Sequence, residues 1–258
     1  MRLILNADDL GMDLQTNDLV FDMMDSGYIT SATIMANCPA CADAVARHRG
    51  YPRCSFGIHL NLTSGRPLTM GHGLESLLRD DGSFAGLEVL ISARRSMALF
   101  RAMYTELAAQ VERLQSLGLN ISHIDSHQHI HNLPALFGIV KFLQKKYGIR
   151  RIRPSKNLYG PDDTQPVRYI KKMVYNLCLQ YVYRSFCPDL FTDFATFVHV
   201  GANRIPRAGV LECMVHLREQ EEGWSDYRML STDWQGRLEL PVELVSYWHL
   251  NSVMEKRL

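Results

Sequence analysis

The sequence predicts an α/β protein, a single-domain β/α barrel of seven or eight strands with room for irregular stretches, occupying residues 1–258. Three observations predict it. Short apolar runs of strand character alternate with helical stretches, as a largely parallel α/β protein requires. Counted along the chain, these runs number about eight. The 258 residues also match the roughly 250 that one β/α barrel uses, and no repeat, low-complexity tract or linker divides them.

Taken in order, Arg2–Ala7 reads as the first strand. Leu14–Gly27 follows as a helix, with Leu19, Val20, Met23 and Met24 at helical spacing and Gly27 as its cap. Ser31–Asn37 is the second strand and Ala-rich Cys41–His48 the second helix. Ser55–Leu62 returns to strand with the run Phe-Gly-Ile-His-Leu-Asn-Leu. From Thr63 to about Gly86 the chain is rich in Gly, Ser, Asp and Pro without a period, and a loop of that length is usually functional. Ser96–Leu117 is helical, Ile121–Ser126 a strand, Pro134–Tyr147 a helix, and Arg151–Arg153 a short strand stopped by Pro154. Arg168–Phe186 reads as another long helix, and Ala195–Gly201, Leu211–Leu217 and Leu244–Leu250 supply three more strands.

Composition excludes several function classes. With 28 Lys and Arg against 27 Asp and Glu, the net charge of +1 sets up no strong overall field for nucleic acid or an anionic membrane. The apolar start is too short for a signal peptide, and no run of 18 uncharged apolar residues occurs, so a soluble cytoplasmic protein without membrane insertion is expected. Six scattered cysteines do not form the dense framework of a small secreted domain. Cys38-Pro-Ala-Cys41 lacks the second ligand pair of a zinc site, which leaves buried, reduced thiols as the expectation.

In parallel β/α architectures the chemistry lies beyond the carboxyl ends of the strands. Collecting the polar residues there gives Asp8 and Asp9, then Asn37, then His59 and Asn61, then His123-Ile-Asp125-Ser-His127-Gln-His129-Ile-His131, then Arg153 and His216. Adjacent carboxylates after a buried strand repel each other unless a cation or shared proton compensates, although a solvated turn or a helix N-cap before Gly11 would serve equally well. In the fourth-strand segment His or Asp occupies every odd position from 123 to 131, one face if the chain stays extended. Such a row spans roughly 26 Å, so one ion could recruit only one or two of its members. One carboxylate with two imidazoles would leave positions open for water and substrate, and the donor types favour zinc over magnesium. Neither a G-x-S-x-G elbow nor a P-loop is present, so attack by metal-activated water is the scheme that survives.

Four motifs stand in register: Asn6-Ala-Asp-Asp-Leu-Gly11, Gly57-Ile-His-Leu-Asn-Leu-Thr63, His123 to His131, and Glu212-Cys-Met-Val-His216. Together they resemble the YdjC-like carbohydrate deacetylases, over almost the whole chain, with Leu244-Val-Ser-Tyr-Trp similar to the family's last strand. The resemblance implies a barrel of the glycoside hydrolase/deacetylase type, one divalent metal ion (Mg²⁺ or Zn²⁺), a homodimer, and hydrolysis of an acetamido group on an amino sugar. By matching positions it implies Asp9, His59 and His127 as metal ligands, Asp8 as catalytic base and His216 as catalytic acid. Leu217 stands where the family usually has a proline. Asn37, Asn61, Asp125, His129 and Arg153 are left as substrate contacts or supports, Asp125 orienting a ligand imidazole and Arg153 steadying either Asp8 or the oxyanion, with a surface or structural arginine the equal alternative. A metal-dependent phosphoesterase, another barrel hydrolase and a non-catalytic sugar-binding protein are the competing readings.

Overall fold

The computed structural model describes residues 1–70, 72–160, 166–200, 209–218, 226–232, 234–236 and 241–250. Its sheet holds β1 (Arg2–Leu10), β2 (Ser31–Ile34), β3 (Ser55–Leu60), β4 (Ile124–Ser126), β5 (Leu190–Asp193), β6 (Val210–Val215) and β7 (Glu243–Leu244). The strands run parallel in the order β4-β3-β2-β1-β6-β5, and β7 pairs with β1 at Arg2 and Leu3. Beyond β4 the wall continues through parallel bridges, Ile124 with Ile152 and Arg151 with Phe186.

The helices are α1 (Leu14–Asp25), α2 (Cys41–Arg47), α3 (Leu87–Ser92), α4 (Met97–Ser116), α5 (Pro134–Tyr147), α6 (Pro166–Leu177), α7 (Phe194–Val200) and α8 (Asp226–Leu230). Their ends follow local chemistry. Asp13 caps α1 by accepting from Thr16 N at 2.8 Å, and Ser96 caps α4 by accepting from Leu99 N at 3.0 Å. Pro134 opens α5 and Gly148, at φ 68°, closes it. No helix among the described residues is long and apolar enough to cross a membrane.

Strand alternation divides the sheet into two environments. Leu3, Leu5 and Ala7 of β1, with Leu211, Cys213 and Val215 of β6, face the helices and join an apolar cluster that extends to Trp234. Ile4 and Val210 face the other way and pack with Phe186, Val245, Tyr247 and Leu250 as a small apolar plug. Above that plug the inward positions turn polar: Asn6, Asp8, Ser31, Thr33, Ser55, His59, Asp125 and Glu212 are all buried.

Several expected elements differ. Ala195–Gly201 was expected as strand, yet residues 194–200 form α7, and Gly201 lies outside the described residues. The strand lies just before, at β5, where Asp193 Oδ1 accepts from Thr196 N at 2.7 Å and turns the chain into the helix. Leu244–Leu250 pairs only at its start, then enters a 3₁₀ turn at Tyr247–His249 whose first N–H donates to Ser55 Oγ at 3.0 Å. The expected helix 168–186 ends at Leu177 and continues as a π turn over Cys178–Val182. Arg151–Arg153 contributes isolated bridges rather than a strand, because Pro154 follows at once. The loop from Thr63 carries a 3₁₀ turn at Glu75–Leu77 and a bridge between Leu78 and Phe84.

Candidate functional site

Asp8 and Asp9 are neighbours in β1, and an undistorted strand would send them to opposite faces. The β1–β2 register shifts between Ala7 and Leu10, and Asp9 adopts φ 63°, the left-handed region that a non-glycine residue rarely occupies. The bulge turns the Asp9 carboxylate to the sheet's carboxyl end. There its Oδ1 lies 3.1 Å from His59 Nε2 and 2.8 Å from His127 Nδ1. His216, just past β6, places Nε2 at 3.9 Å from the other oxygen of Asp9, and its backbone N–H donates to Asp226 Oδ2 at 2.8 Å.

A second layer lies beneath. His59 Nδ1 donates to Asp125 Oδ1 at 2.7 Å, so its Nε2 is the nitrogen presented to Asp9. Thr33 Oγ1 donates to Asp125 Oδ2 at 2.9 Å. Arg153, with no exposed surface, reaches both Asp8 oxygens at 2.7 Å, Asp125 Oδ2 at 2.9 Å and Glu212 Oε1 at 2.7 Å. Asn6 Nδ2 donates to Asp8 Oδ1 at 2.8 Å. Tyr247 donates its hydroxyl to Glu212 Oε2.

Charge governs this cluster. Burial would raise the Asp8 carboxyl, but the Arg153 guanidinium and its hydrogen bonds outweigh that and hold it well below the usual carboxylate range. Burial raises Asp9 likewise, and the His127 and His59 imidazoles pull it further the other way. For His59, burial lowers the pKa and the Asp125 carboxylate with Asp9 and Asp8 pushes it up to about 10. Glu212 is the exception: burial dominates and its pKa rises to about 7 despite Arg153.

The expected row of His and Asp from 123 to 131 does not share one face. β4 ends at Ser126, and positive φ at Gln128 and His129 coils the chain into a 3₁₀ turn. Asp125 and His127 enter the cluster just described. His131 Nδ1 pairs with Ser126 Oγ at 2.5 Å. His123 is fully buried, its ring stacked on Tyr247 at 3.5 Å. His129 keeps a buried Nδ1 with no partner among the described residues, its ring edge-on to Phe191 at 5.8 Å. Burial and then the Arg153 charge lower its pKa to about 3, so the imidazole is neutral.

Asn37 and Asn61 are not brought into the cluster. Asn61 Nδ2 donates to Asn37 Oδ1 at 3.0 Å and to Ser64 O at 2.7 Å, while Asn37 Nδ2 donates to Ser64 O at 2.9 Å. Both amides staple the start of the long loop, which α4 holds further on through Glu106 and Thr69. Sequence reasoning assigned no role to Glu212 or Tyr247. The available signal was a carboxylate inside the apolar run Val-Leu-Glu-Cys-Met-Val.

The YdjC-like protein family model matches residues 2–230. A carbohydrate deacetylase of Geobacillus stearothermophilus is 38% identical over 169 residues, which cover 62% of this chain and 66% of that protein. Another, from Vibrio vulnificus strain YJ016, is 36% identical over 149 residues, covering 58% and 57%. The match thus spans less than two thirds of either relative's length. Among solved structures, a protein of Enterococcus faecalis V583 provisionally named for cellobiose-phosphate cleavage superposes with TM-score 0.78 and 21% identity, covering 96% of this chain and 98% of its own. That likeness is one of fold. With the family match running through the strands and strand ends that carry Asp8, Asp9, His59, Asp125, His127 and His216, this chain belongs to the YdjC-like family.

Proposed function

We propose that this protein is a metal-dependent hydrolase that removes the N-acetyl group from an amino sugar, and that its wall closes into one barrel domain through residues 151–158. Closure is supported by Arg153 N donating to Ile124 O at 3.0 Å on one side and Asn157 N donating to Phe191 O at 3.2 Å on the other. The observation that carries the activity is the pairing of a carboxylate–bis-imidazole donor set with a second carboxylate that a buried arginine keeps ionised.

The residues fit a divalent ion. Asp9, His59 and His127 offer one oxygen and two nitrogens, all within 4.8 Å of one another. Asp8, Asp125 and Glu212 meet the single guanidinium of Arg153 and Asp9 adjoins the His59 and His127 imidazoles, an excess of negative charge that a cation offsets. Two imidazoles favour zinc over magnesium, which prefers oxygen. When bound, such an ion supplies Lewis acidity toward water and an amide oxygen.

The protein's own groups supply the remainder. Asp8, ionised at neutral pH, accepts the proton of the attacking water, while Arg153 and Asn6 fix its orientation. Water oxygen bonds to the acetyl carbon, the carbon–nitrogen bond breaks, and His216 Nε2 delivers a proton to the departing nitrogen. Acetate and a free amine result. Asp125 holds His59 in the tautomer that points Nε2 at the ion's position. His129, half-buried two residues beyond His127, is a substrate contact or a support for the site.

Metal content and acetate release are measured together on N-acetylated mono- and oligosaccharides. Asp8→Ala is expected to keep its ion and lose acetate release by about 10²-fold or more, whereas His127→Ala loses both. An ion-loaded wild type that releases no acetate across the panel ends the deacetylase reading; phosphate release from phosphoesters would replace it.

A further inference from the structure

The net charge of +1 conceals a segregation. Residues 134–188 carry eleven of the 28 Lys and Arg but only two of the 27 Asp and Glu. The same stretch exposes large apolar side chains: Phe142 on α5, Ile170, Val174 and Leu177 on α6, and Tyr181 and Val182 beyond it, each 46–74% exposed. On α6 the steps 170, 174 and 177 lay these residues along one stripe, and the π turn that follows exposes Tyr181 and Val182 beyond its end. The opposite side turns inward, where Leu179 is buried and Tyr175 Oη donates to His131 O at 2.8 Å. The helix therefore shows its apolar face to the outside. Where the stripe ends, a groove of about 530 Å³ opens between α5 and residues 182–185. Its charged lining is Lys141, Lys145, Arg150 and Arg184, with no carboxylate. Lys145 and Arg184 are exposed and form no ion pair among the described residues. Arg184 adopts φ 49°, a strained backbone for a non-glycine residue, in the turn that presents Val182.

We propose that this face docks the protein on an anionic membrane surface, with the α6 stripe and Val182 entering the headgroup boundary and Lys145, Arg150 and Arg184 meeting lipid phosphates. An outward apolar stripe that ends at a groove lined by cations alone, and that has Lys156 and Lys172 against the single carboxylate of Asp189 in the cavity beside Ile170 and Leu177, is complementary to such a surface. Nucleic acid would match the cations and leave the stripe unused. A second copy of this face would match the stripe and bring like charges together. The contact is peripheral, and Tyr175 ties it to the turn that carries His127.

The test is flotation of the full chain with phosphatidylcholine vesicles, with and without phosphatidylglycerol, at low and high salt. Binding to the anionic vesicles alone, weakened by salt, is expected. Lys145→Gln with Arg184→Gln should weaken partitioning roughly 30-fold, and Ile170→Ser with Leu177→Ser should weaken it at least about tenfold. These side chains are exposed, so circular dichroism and melting should be unchanged. No flotation of the wild type, or flotation indifferent to both pairs of substitutions, overturns the proposal. So does a wild type that ignores vesicles and forms a dimer that the stripe substitutions dissociate, or one that prefers duplex DNA to vesicles. Partitioning is read without acetate release, so its failure is distinct from failure of the deacetylase reading.

Discussion

A guanidinium has five N–H donors in one plane, and Arg153 uses them to serve Asp8, Asp125 and Glu212 at once. Removing it would leave three buried carboxylates without their counter-charge, so Arg153→Ala should cost about 3–5 kcal/mol and report folding rather than catalysis. Arg153→Lys is the more informative change. It keeps the positive charge but loses the fork that grips both Asp8 oxygens, so kcat should fall about 10²-fold with ion content intact. An unchanged kcat would mean that Arg153 does not position the base. Glu212, across the same guanidinium, gives a pH signature. Its folded pKa of about 7 lies above the ordinary value of 4.5, so the unfolded chain releases this proton first. Stability therefore falls as pH rises from 4.5 to 7, by up to about 3 kcal/mol. Glu212→Gln removes the titration, so in urea unfolding across this pH range the wild type should lose stability relative to the variant. A parallel course for the two proteins would show that Glu212 is ionised throughout.

β3 and β4 are held together by a ring as well as by their ladder. The His123 imidazole stacks on Tyr247 with only 7° between planes, and its other side meets Gly57, where a Cβ would lie 2.6 Å from the ring. Gly57→Ala must displace that ring, at about 1–3 kcal/mol, while Gly57→Ala combined with His123→Ala should recover part of the loss in a double-mutant cycle of urea midpoints. Additive losses would mean that the two do not compete for space. Helices whose signals are local were legible in the sequence: Ser96 caps α4, and Pro134 and Gly148 bracket α5. β5 and α7 were not, because Phe197-Val-His-Val200 has strand composition and only the Asp193 cap shows that the chain has already turned. The site divides in the same way. Asp8, Asp9, His59, His127 and His216 close or interrupt apolar runs and can be collected from the sequence. Glu212 and Tyr247 acquire meaning only once Arg153 is seen buried between strands. The Asp9 bulge, which sets the donor geometry, depends on a register no single segment encodes.

At the scale of the whole chain, an apolar cluster from Leu3 to Trp234 joins the helices to the outer side of the sheet, while the inner side carries charge that apolar packing cannot compensate. Such an arrangement should unfold as one unit, because β1 lies central in the strand order and contributes both to the cluster and to the donor set. Scanning calorimetry should give a single transition with calorimetric and van't Hoff enthalpies in agreement. Stability should also depend on the ion: a ligand at 100 times its Kd stabilises the folded state by about 2.7 kcal/mol, which for a chain of this size moves Tm by roughly 5–10 °C. Chelation should therefore lower the single transition by that amount, and His127→Ala should be insensitive to chelator because its donor set is incomplete. Two transitions, only one of them sensitive to chelator, would divide the chain into independent units and end the single-barrel reading. One transition unaffected by chelator would keep the barrel and remove the ion from the account of what balances Asp8, Asp9 and Asp125, leaving Arg153 and a protonated His59 to do so.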